Sequence, residues 1–442
     1  MTTNSASTPA PQVETPEQEK SRLRKVLAAT LIGTTVEWYD FYLYATMASI
    51  VFGQLFFSDD SSETATLKAF ATFAVGFIAR PIGGIVFGHM GDRIGRKKTL
   101  VITFTLMGLS TFLIGILPTY ETIGLAAPVL LVTCRIFQGM GAGAEYAGAA
   151  VNSYEHAKEG RRGRQGAWPA LGLNLGLVLS SGTIFLLTLN GDEFLMNGGW
   201  RIPFVISIVL VGVGMWVRRS LPESPEFKQD VVEEKKTVTF SEVFKYNWKG
   251  LIVVLGIAIG YNALSYIFKT FSVAYLKEFQ EVSANIASGA VMVAGCVAIF
   301  AVPIFGEACD RFGSKMVIAT GGVLSALFAF GFLALLETGT AWGAYVAIAI
   351  GTGILAPMMF SAQGSFLSRQ FPTEVRSTGV GFARELGTAI AGGLAPLGAL
   401  SLVTASPTNS TTGVGIVLVV SGVMVLIFAL FDQGKHLTNE KN

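Results

Sequence analysis

Cysteine and histidine are both scarce, three of each in 442 residues. Cys134, Cys296 and Cys309 all sit in apolar runs, which leaves no disulfide framework and no metal-ligand spacing. His89, His156 and His436 are scattered along the chain, so no zinc site is expected. Charge is scarce as well: Asp, Glu, Lys and Arg make up 14% of the residues, and the net charge is +2. A soluble protein of this size carries more charge, and so small a net charge offers no general surface for nucleic acid. There is no nucleophile–base constellation and no metal set. Gly139-Met-Gly-Ala-Gly has the glycines of a nucleotide loop, but it falls inside an apolar helical run without the strand–helix context. Neither an enzyme nor a bound cofactor is expected. The first 20 residues are acidic and rich in Ser, Thr and Pro, and lack the charged-then-apolar order of a secretory signal. They read as part of a disordered tail.

What the chain has in quantity is apolar surface, with 51% hydrophobic residues, and 51 glycines. A membrane helix needs about 20 mostly apolar residues. Twelve such segments lie near 27–50, 67–88, 99–118, 125–149, 167–189, 200–217, 250–272, 286–308, 316–336, 341–364, 377–402 and 413–432. Their connections are short except for 218–249, which carries Pro222, Pro225 and the run Glu233-Glu234-Lys235-Lys236. That segment falls between the sixth and seventh helices. The expected division is a tail over 1–25, helices over 26–217, a linker over 218–249, helices over 250–432 and a tail over 433–442.

Residues 78–98 organise the rest. An apolar, glycine-rich run ends at Gly88, a tight turn holds Asp92, Arg93 and Gly95, and the basic cluster Arg96, Lys97 and Lys98 leads into the next apolar run. Gly306, Asp310, Arg311 and Gly313 repeat the offsets 218 residues later. Such a match near the half-length indicates two related halves, the internal repeat of many transporters. Lys and Arg gather in the loops of one side, around Arg93, Arg162, Arg218, Lys315 and Arg369, which places that side and both termini in the cytoplasm.

Ionised side chains inside apolar runs need a partner, a wet cavity or a task, because each costs roughly 2.5–3.5 kcal/mol on insertion scales. Glu37 and Asp40 share one face of helix 1 at i, i+3 spacing. Two carboxylates so placed favour protonation of one of them, which makes them candidates for proton coupling, with neutralisation by arginine as the structural alternative. Arg80, Arg135 and Glu145 lie on helices 2 and 4. Arg135 and Arg384 are candidates to hold a substrate carboxylate, since a guanidinium offers planar, permanent donors. Arg384 and Glu385 stand about 100° apart on a helix and are expected not to pair with each other. Lys269 is expected to snorkel to water from the outer end of helix 7. Tyr42, Tyr261, Asn262, Tyr266, Asn174 and Gln363 are uncharged candidates for lining a path, or for bonding to neighbouring helices. Asp92 and Arg93, with Arg96, are expected to latch the cytoplasmic side by setting a carboxylate at a neighbouring helix N-terminus, echoed by Asp310 and Arg311. Arg80 is grouped with this gating set.

Gly88-His-Met-Gly-Asp-Arg-Ile-Gly-Arg-Lys-Lys resembles the loop signature of the major facilitator superfamily. Glu37-Trp-Tyr-Asp-Phe-Tyr, Arg80-Pro-Ile-Gly-Gly, Gln138-Gly-Met-Gly-Ala-Gly-Ala-Glu-Tyr, Gly199-Trp-Arg-Ile-Pro-Phe, Glu223-Ser-Pro-Glu-Phe and Phe371-Pro-Thr-Glu-Val-Arg narrow the resemblance to its metabolite:H+ symporter family. The resemblance implies an all-α membrane protein with twelve transmembrane helices in two pseudo-symmetric six-helix bundles. It also implies a central cavity, and uptake driven by protons through alternating access. It points to Asp40, Glu37, Arg80, Arg135 and Glu145. Osmosensing members end in a long coiled coil, whereas about ten residues follow Asp432 here, which argues against an osmosensor.

The expectation is therefore a symporter in the inner cell membrane that imports a small organic acid with a proton as the coupling ion. It would work in the lipid bilayer as a monomer, without nucleic acid. A zwitterion such as betaine or proline is the alternative cargo. A receptor that binds without transporting is the alternative of another class, weakened because 218–249 is too short to fold as a signalling domain.

Overall fold

The computed structural model describes residues 16–57, 61–94, 96–143, 151, 153–154, 157, 160–220, 240–372 and 375–433. Helices dominate, because a chain crossing hydrocarbon must satisfy its backbone N–H and C=O groups within itself. They are α1 Pro16–Ile50, α2 Ser62–Ile94, α3 Arg96–Ile116, α4 Ala126–Ala142, α5 Trp168–Thr188, α6 Arg201–Ser220, α7 Phe240–Tyr266, α8 Ala284–Phe312, α9 Ser314–Glu337, α10 Ala341–Ile350, α11 Arg376–Thr388 and α12 Thr412–Leu430. Three of them run on through a π turn. α7 continues through Ile267–Phe271 into Ser272–Glu278, α10 through Gly351–Leu355 into Ala356–Ser368, and α11 through Ala389–Gly393 into Leu394–Thr404.

Among the described residues nine helices are long and apolar enough to span a bilayer, and the bent pair Asp192–Gly199 with Arg201–Trp216 makes ten. The other two are α4, which has 17 described residues, and α1, whose apolar run is diluted by Glu37 and Asp40. Ile82, Ile85, Val129, Phe300, Ile304 and Leu327 are exposed on the outer surface, as a lipid-facing belt requires.

The halves repeat one packing scheme. In the first, α1 packs on α5, α2 on α4, and α3 on both α4 and α6; in the second, α7 packs on α11, α8 on α10, and α9 on both α10 and α12. Adding six to each label carries one set onto the other. The halves meet along two seams, α5 with α8 and α2 with α11, which are mates under the same rule. Small residues let these seams close: a Cβ on Gly295 would lie 2.7 Å from a Val178 methyl, and one on Gly393 would lie 2.6 Å from the Ala74 Cα. The repeated turn is also visible. α2 and α3 are separated by one residue, as are α8 and α9, where Gly313 adopts φ +86°, a conformation that favours glycine.

The helices outrun the apolar windows. α1 reaches back to Pro16, inside the segment expected as a tail, and α7 begins at Phe240, inside the expected linker. The apolar window ends where charge begins, but backbone hydrogen bonding does not. At Asn247 the backbone leaves helical geometry (φ −124°, ψ 23°), so α7 bends where its apolar span starts. Residues 221–239 of the linker lie outside the described residues.

Candidate functional site at the interface of the two halves

Glu37 and Asp40 are both buried, at 1% and 0% exposure, and each has its own set of partners. Glu37 joins an ionic chain that crosses between the halves. Arg80 donates from Nη2 to Glu37 Oε1 at 3.0 Å and from Nε to Glu385 Oε2 at 2.7 Å. Arg384 donates from Nη1 to Glu385 Oε1 at 2.6 Å. The Arg80 guanidinium also lies 4.9 Å from the centre of the Phe41 ring. Two cations and two anions thus neutralise one another, with α1 and α2 on one side and α11 on the other. Removing a single member of such a buried set leaves an unpaired charge and costs about 3–5 kcal/mol.

The Arg384–Glu385 contact corrects the expectation from helical spacing. The two Cα–Cβ vectors diverge, but long side chains fold along the helix surface and meet. With Arg80 on the other oxygen, the Glu385 carboxylate is held from both sides.

Asp40 belongs to a second chain, and this one stays within the first half. Its Oδ2 accepts from the Thr111 hydroxyl at 2.9 Å. Gln138 Nε2 donates to Thr111 Oγ1 at 2.7 Å. Arg135 Nη1 donates to Gln138 Oε1, and Arg135 Nη2 donates to the Phe73 carbonyl at 3.3 Å. The Arg135 guanidinium is 3.9 Å from the Tyr44 ring centre, a cation–π arrangement. Gly76 makes room for it, since a Cβ there would lie 2.5 Å from Arg135 Nη2. Asp40 Oδ1 has no hydrogen-bond partner among the described residues.

Between α5, α7 and α10 lies a cavity of about 10 Å³, room for about one water. Asn174, Tyr261, Ser265, Lys269, Thr352 and Phe360 contribute to its wall. Lys269 does not snorkel. It is 5% exposed, and its Nζ donates to Tyr42 Oη at 2.9 Å and to Ser265 Oγ at 2.9 Å. α7 continues through its π turn to Glu278, which leaves Lys269 more than two turns inside the end of the helix. Tyr261 stacks on Phe360 with ring centres 5.2 Å apart. Tyr266 packs its ring edge-on against Phe73 and Phe77 across the α2 seam. Asn262 turns away from the cavity, donating to the Ala258 carbonyl at 2.7 Å and to Thr388 Oγ1 at 3.2 Å. Gln363 is buried, and its Nε2 has no partner among the described residues. Neither Arg135 nor Arg384 lines this cavity.

Both ends of the interface carry bonds between the halves. At the basic end, Asp310 on α8 accepts from the backbone N–H of Gly163 at 2.6 Å and of Arg164 at 3.1 Å. These residues belong to the short helix Arg162–Gly166 that precedes α5. A carboxylate thus sits at a helix N-terminus of the other half, where its charge is favoured. Arg311 is not part of this contact; it pairs with Glu307 on its own helix, 2.5 Å away. At the opposite end, Glu278 accepts from Ser62 at 2.6 Å and from Thr66 at 3.1 Å, and Lys277 donates to the Ile50 carbonyl at 2.5 Å. With so little space between these contacts, the described interface is in a closed state. The side chains of Asp92, Arg93 and Arg96, and the whole of Glu145, lie outside the described residues.

Sequence reasoning assigned no role to Thr111, Gln138 or Ser265, and assigned Lys269 to solvent. Threonine and serine in apolar helices usually bond to their own preceding turn, so neither residue type signals a site. Gln138, three residues after Arg135, was the one legible hint.

Twelve helices in two mated halves, with buried charge along the interface, define a multi-pass membrane protein built as a secondary transporter. The profile of the Major Facilitator Superfamily matches residues 30–396. The chain belongs to that superfamily and, within it, to the metabolite:H+ symporter family. It is 39% identical over 424 residues to the inner membrane metabolite transport protein YhjE of Escherichia coli (strain K12), covering 93% of this chain and 94% of that one. It is 35% identical to the shikimate transporter of the same organism over 87% of this chain and 89% of that one. It is 33% identical to the proline/betaine transporter of Salmonella typhimurium over 85% of this chain and 77% of that one. These relatives are transport proteins rather than enzymes. Among solved structures, the xylose transporter XylE from E. coli in a partially occluded inward-open conformation superposes with a TM-score of 0.71 at 18% identity, covering 93% of this chain and 97% of that chain. At that identity the likeness is one of fold.

Proposed function

We propose that the protein imports a small organic acid together with a proton, with the two halves rocking about the closed interface. The observation that carries this reading is the Glu37–Arg80–Glu385–Arg384 chain, because it ties the halves together through charges that water would release. Opening either end hydrates these groups and weakens their attraction several-fold. Protonating one carboxylate has a comparable effect from within. The basic end faces the cytoplasm in this reading, with Asp310, Arg311, Asp92, Arg93 and Arg96 on that side.

Asp40 is the favoured proton carrier, with Glu37 and Glu145 as the other proton-coupling candidates. Glu37 is already matched to a guanidinium, whereas among the described residues Asp40 accepts a hydrogen bond from a hydroxyl alone. The Thr111 hydroxyl has two acceptors in reach, Asp40 Oδ2 and the Met107 carbonyl at 3.1 Å. When Asp40 is ionised, the hydroxyl donates to it. When Asp40 is protonated, the hydroxyl turns to Met107 and accepts from Asp40. One rotating hydroxyl serves both protonation states. On opening, Arg135, Arg384, Tyr42, Tyr261, Asn262 and Gln363 would face or border the enlarged cavity and contact the substrate.

Betaine or proline is the second cargo, favoured by the proline/betaine relatives. The aromatic surfaces that would hold a quaternary ammonium are occupied here: Lys269 Nζ lies 4.5 Å from the Tyr42 ring centre and 4.7 Å from that of Tyr266. Uptake of labelled organic acids into proteoliposomes, with and without an inward proton gradient, tests the reading. Accumulation that collapses with a protonophore is expected. Accumulation indifferent to the gradient and to the protonophore contradicts proton coupling.

A further inference from the structure

Lys269 is a buried cation without a counter-ion among the described residues. Its two hydrogen-bond partners, Tyr42 Oη and Ser265 Oγ, are neutral, and none of the ion pairs among the described residues includes it. An uncompensated ammonium in a sealed interior is expensive. Arg80 has two carboxylates and Arg384 has Glu385, whereas Lys269, like Arg135, meets neutral partners and aromatic rings among the described residues.

Its position adds a second, independent observation. Lys269 lies on the wall of the cavity between α5, α7 and α10, where the neighbouring Thr352 hydroxyl has no partner among the described residues. The helices that carry these two residues both depart from α geometry there: the π turn Ile267–Phe271 contains Lys269, and the π turn Gly351–Leu355 contains Thr352. Such turns commonly mark functional positions in a helix. Lys269 also joins the halves, because Tyr42 is on α1 and Lys269 on α7.

We propose that Lys269 is the anion-binding group of this transporter, and that its missing counter-ion is the carboxylate of the substrate. In the closed state, Tyr42 and Ser265 stand in for that carboxylate. When the halves part at the end bearing Glu278, the bond to Tyr42 breaks and Lys269 presents its ammonium to the opening cavity. A carboxylate entering there pairs with Lys269 and bonds to the Thr352 hydroxyl. Among the described residues the wall offers one cation and no anion, so it selects an anionic acid over a zwitterion. This inference deepens the transport reading by naming the residue that binds the substrate's carboxylate, and rests on that reading only for the steps after binding.

Thermal unfolding of the purified full-length protein tests it. The probes are succinate, 2-oxoglutarate, citrate, benzoate and cyclohexanecarboxylate, with benzamide and cyclohexanecarboxamide as neutral counterparts and glycine betaine as the zwitterion. A ligand that binds the folded form raises Tm. At least one carboxylate is expected to raise Tm, and neither the amides nor betaine. Lys269→Gln and Lys269→Met should weaken that carboxylate's apparent affinity at least tenfold, while Lys269→Arg keeps it within threefold. Without ligand, Lys269→Met should keep or raise the wild-type Tm, because it removes an unmatched buried charge; a lowered Tm would make Lys269 structural and overturn the proposal. A response to betaine or an amide that exceeds every carboxylate overturns it, as does no response to any carboxylate, or an unchanged affinity in Lys269→Gln. A carboxylate that binds through Lys269 but is never accumulated by proteoliposomes contradicts transport and leaves this assignment standing.

Discussion

Glu37 and Asp40 stand one turn apart on α1, yet the first is held by a guanidinium and linked to the second half, while the second meets a hydroxyl and stays within the first half. The two chains they begin differ in kind. Glu37–Arg80–Glu385–Arg384 is ionic and crosses the interface. Asp40–Thr111–Gln138–Arg135 is joined through neutral groups and lies on α1, α3 and α4. The ionic chain is suited to sensing whether the halves are together, because its strength depends on keeping water out. The neutral-linked chain is suited to accepting a proton, because a hydroxyl and an amide reverse their roles at little cost. In the proposed mechanism, lock and proton site would stand a single helical turn apart.

That separation can be probed at five places. Arg80→Met should have the largest effect. It strands two carboxylates, lowers stability by about 3–5 kcal/mol, and cuts uptake at least a hundredfold. Combining it with Glu37→Gln and Glu385→Gln should recover most of the thermal stability without recovering uptake, which separates the fold from the lock. Glu385→Gln should come next, and should exceed Glu37→Gln in lowering Tm, because Glu385 is held by two arginines and Glu37 by one.

Asp310→Asn should have a smaller effect. It weakens two bonds between the halves at the basic end, worth about 1–3 kcal/mol together, and should speed thiol labelling of a cysteine introduced at the basic mouth. Asp92→Asn, at the matching position of the first half, should act in the same direction. If it leaves both uptake and labelling unchanged, the latch belongs to the second half alone. Thr111→Val should have the smallest effect on stability, about 1–2 kcal/mol. It should shift the pH dependence of uptake while leaving the Glu37 chain intact, as read by an unchanged response to Arg80 substitution.

Much of this frame was legible in the chain. The turn at Gly88–Lys98 and its echo at Gly306–Lys315 announced two halves, and the paired scheme of helix contacts agrees with them. The buried charges were visible because polarity stands out against an apolar background. Their pairing was not. Arg80 finds Glu385 across 305 positions, a distance that no spacing rule reaches. Arg384 and Glu385 meet through side-chain length, which a helical wheel ignores. Lys269 misled because the apolar window ended near residue 272, while the helix itself runs to Glu278. Thr111 was hidden by its type, since a threonine in an apolar helix gives no sign of whether it serves its own backbone or a neighbour.

The separation of lock from proton site is tested most directly by Asp40→Asn in proteoliposomes, loaded with whichever carboxylate the binding screen selects. Equilibrium exchange of that carboxylate across the membrane should continue within about threefold of the wild-type rate, while accumulation driven by a proton gradient should vanish. Gradient-driven accumulation at the wild-type level in Asp40→Asn would contradict the account.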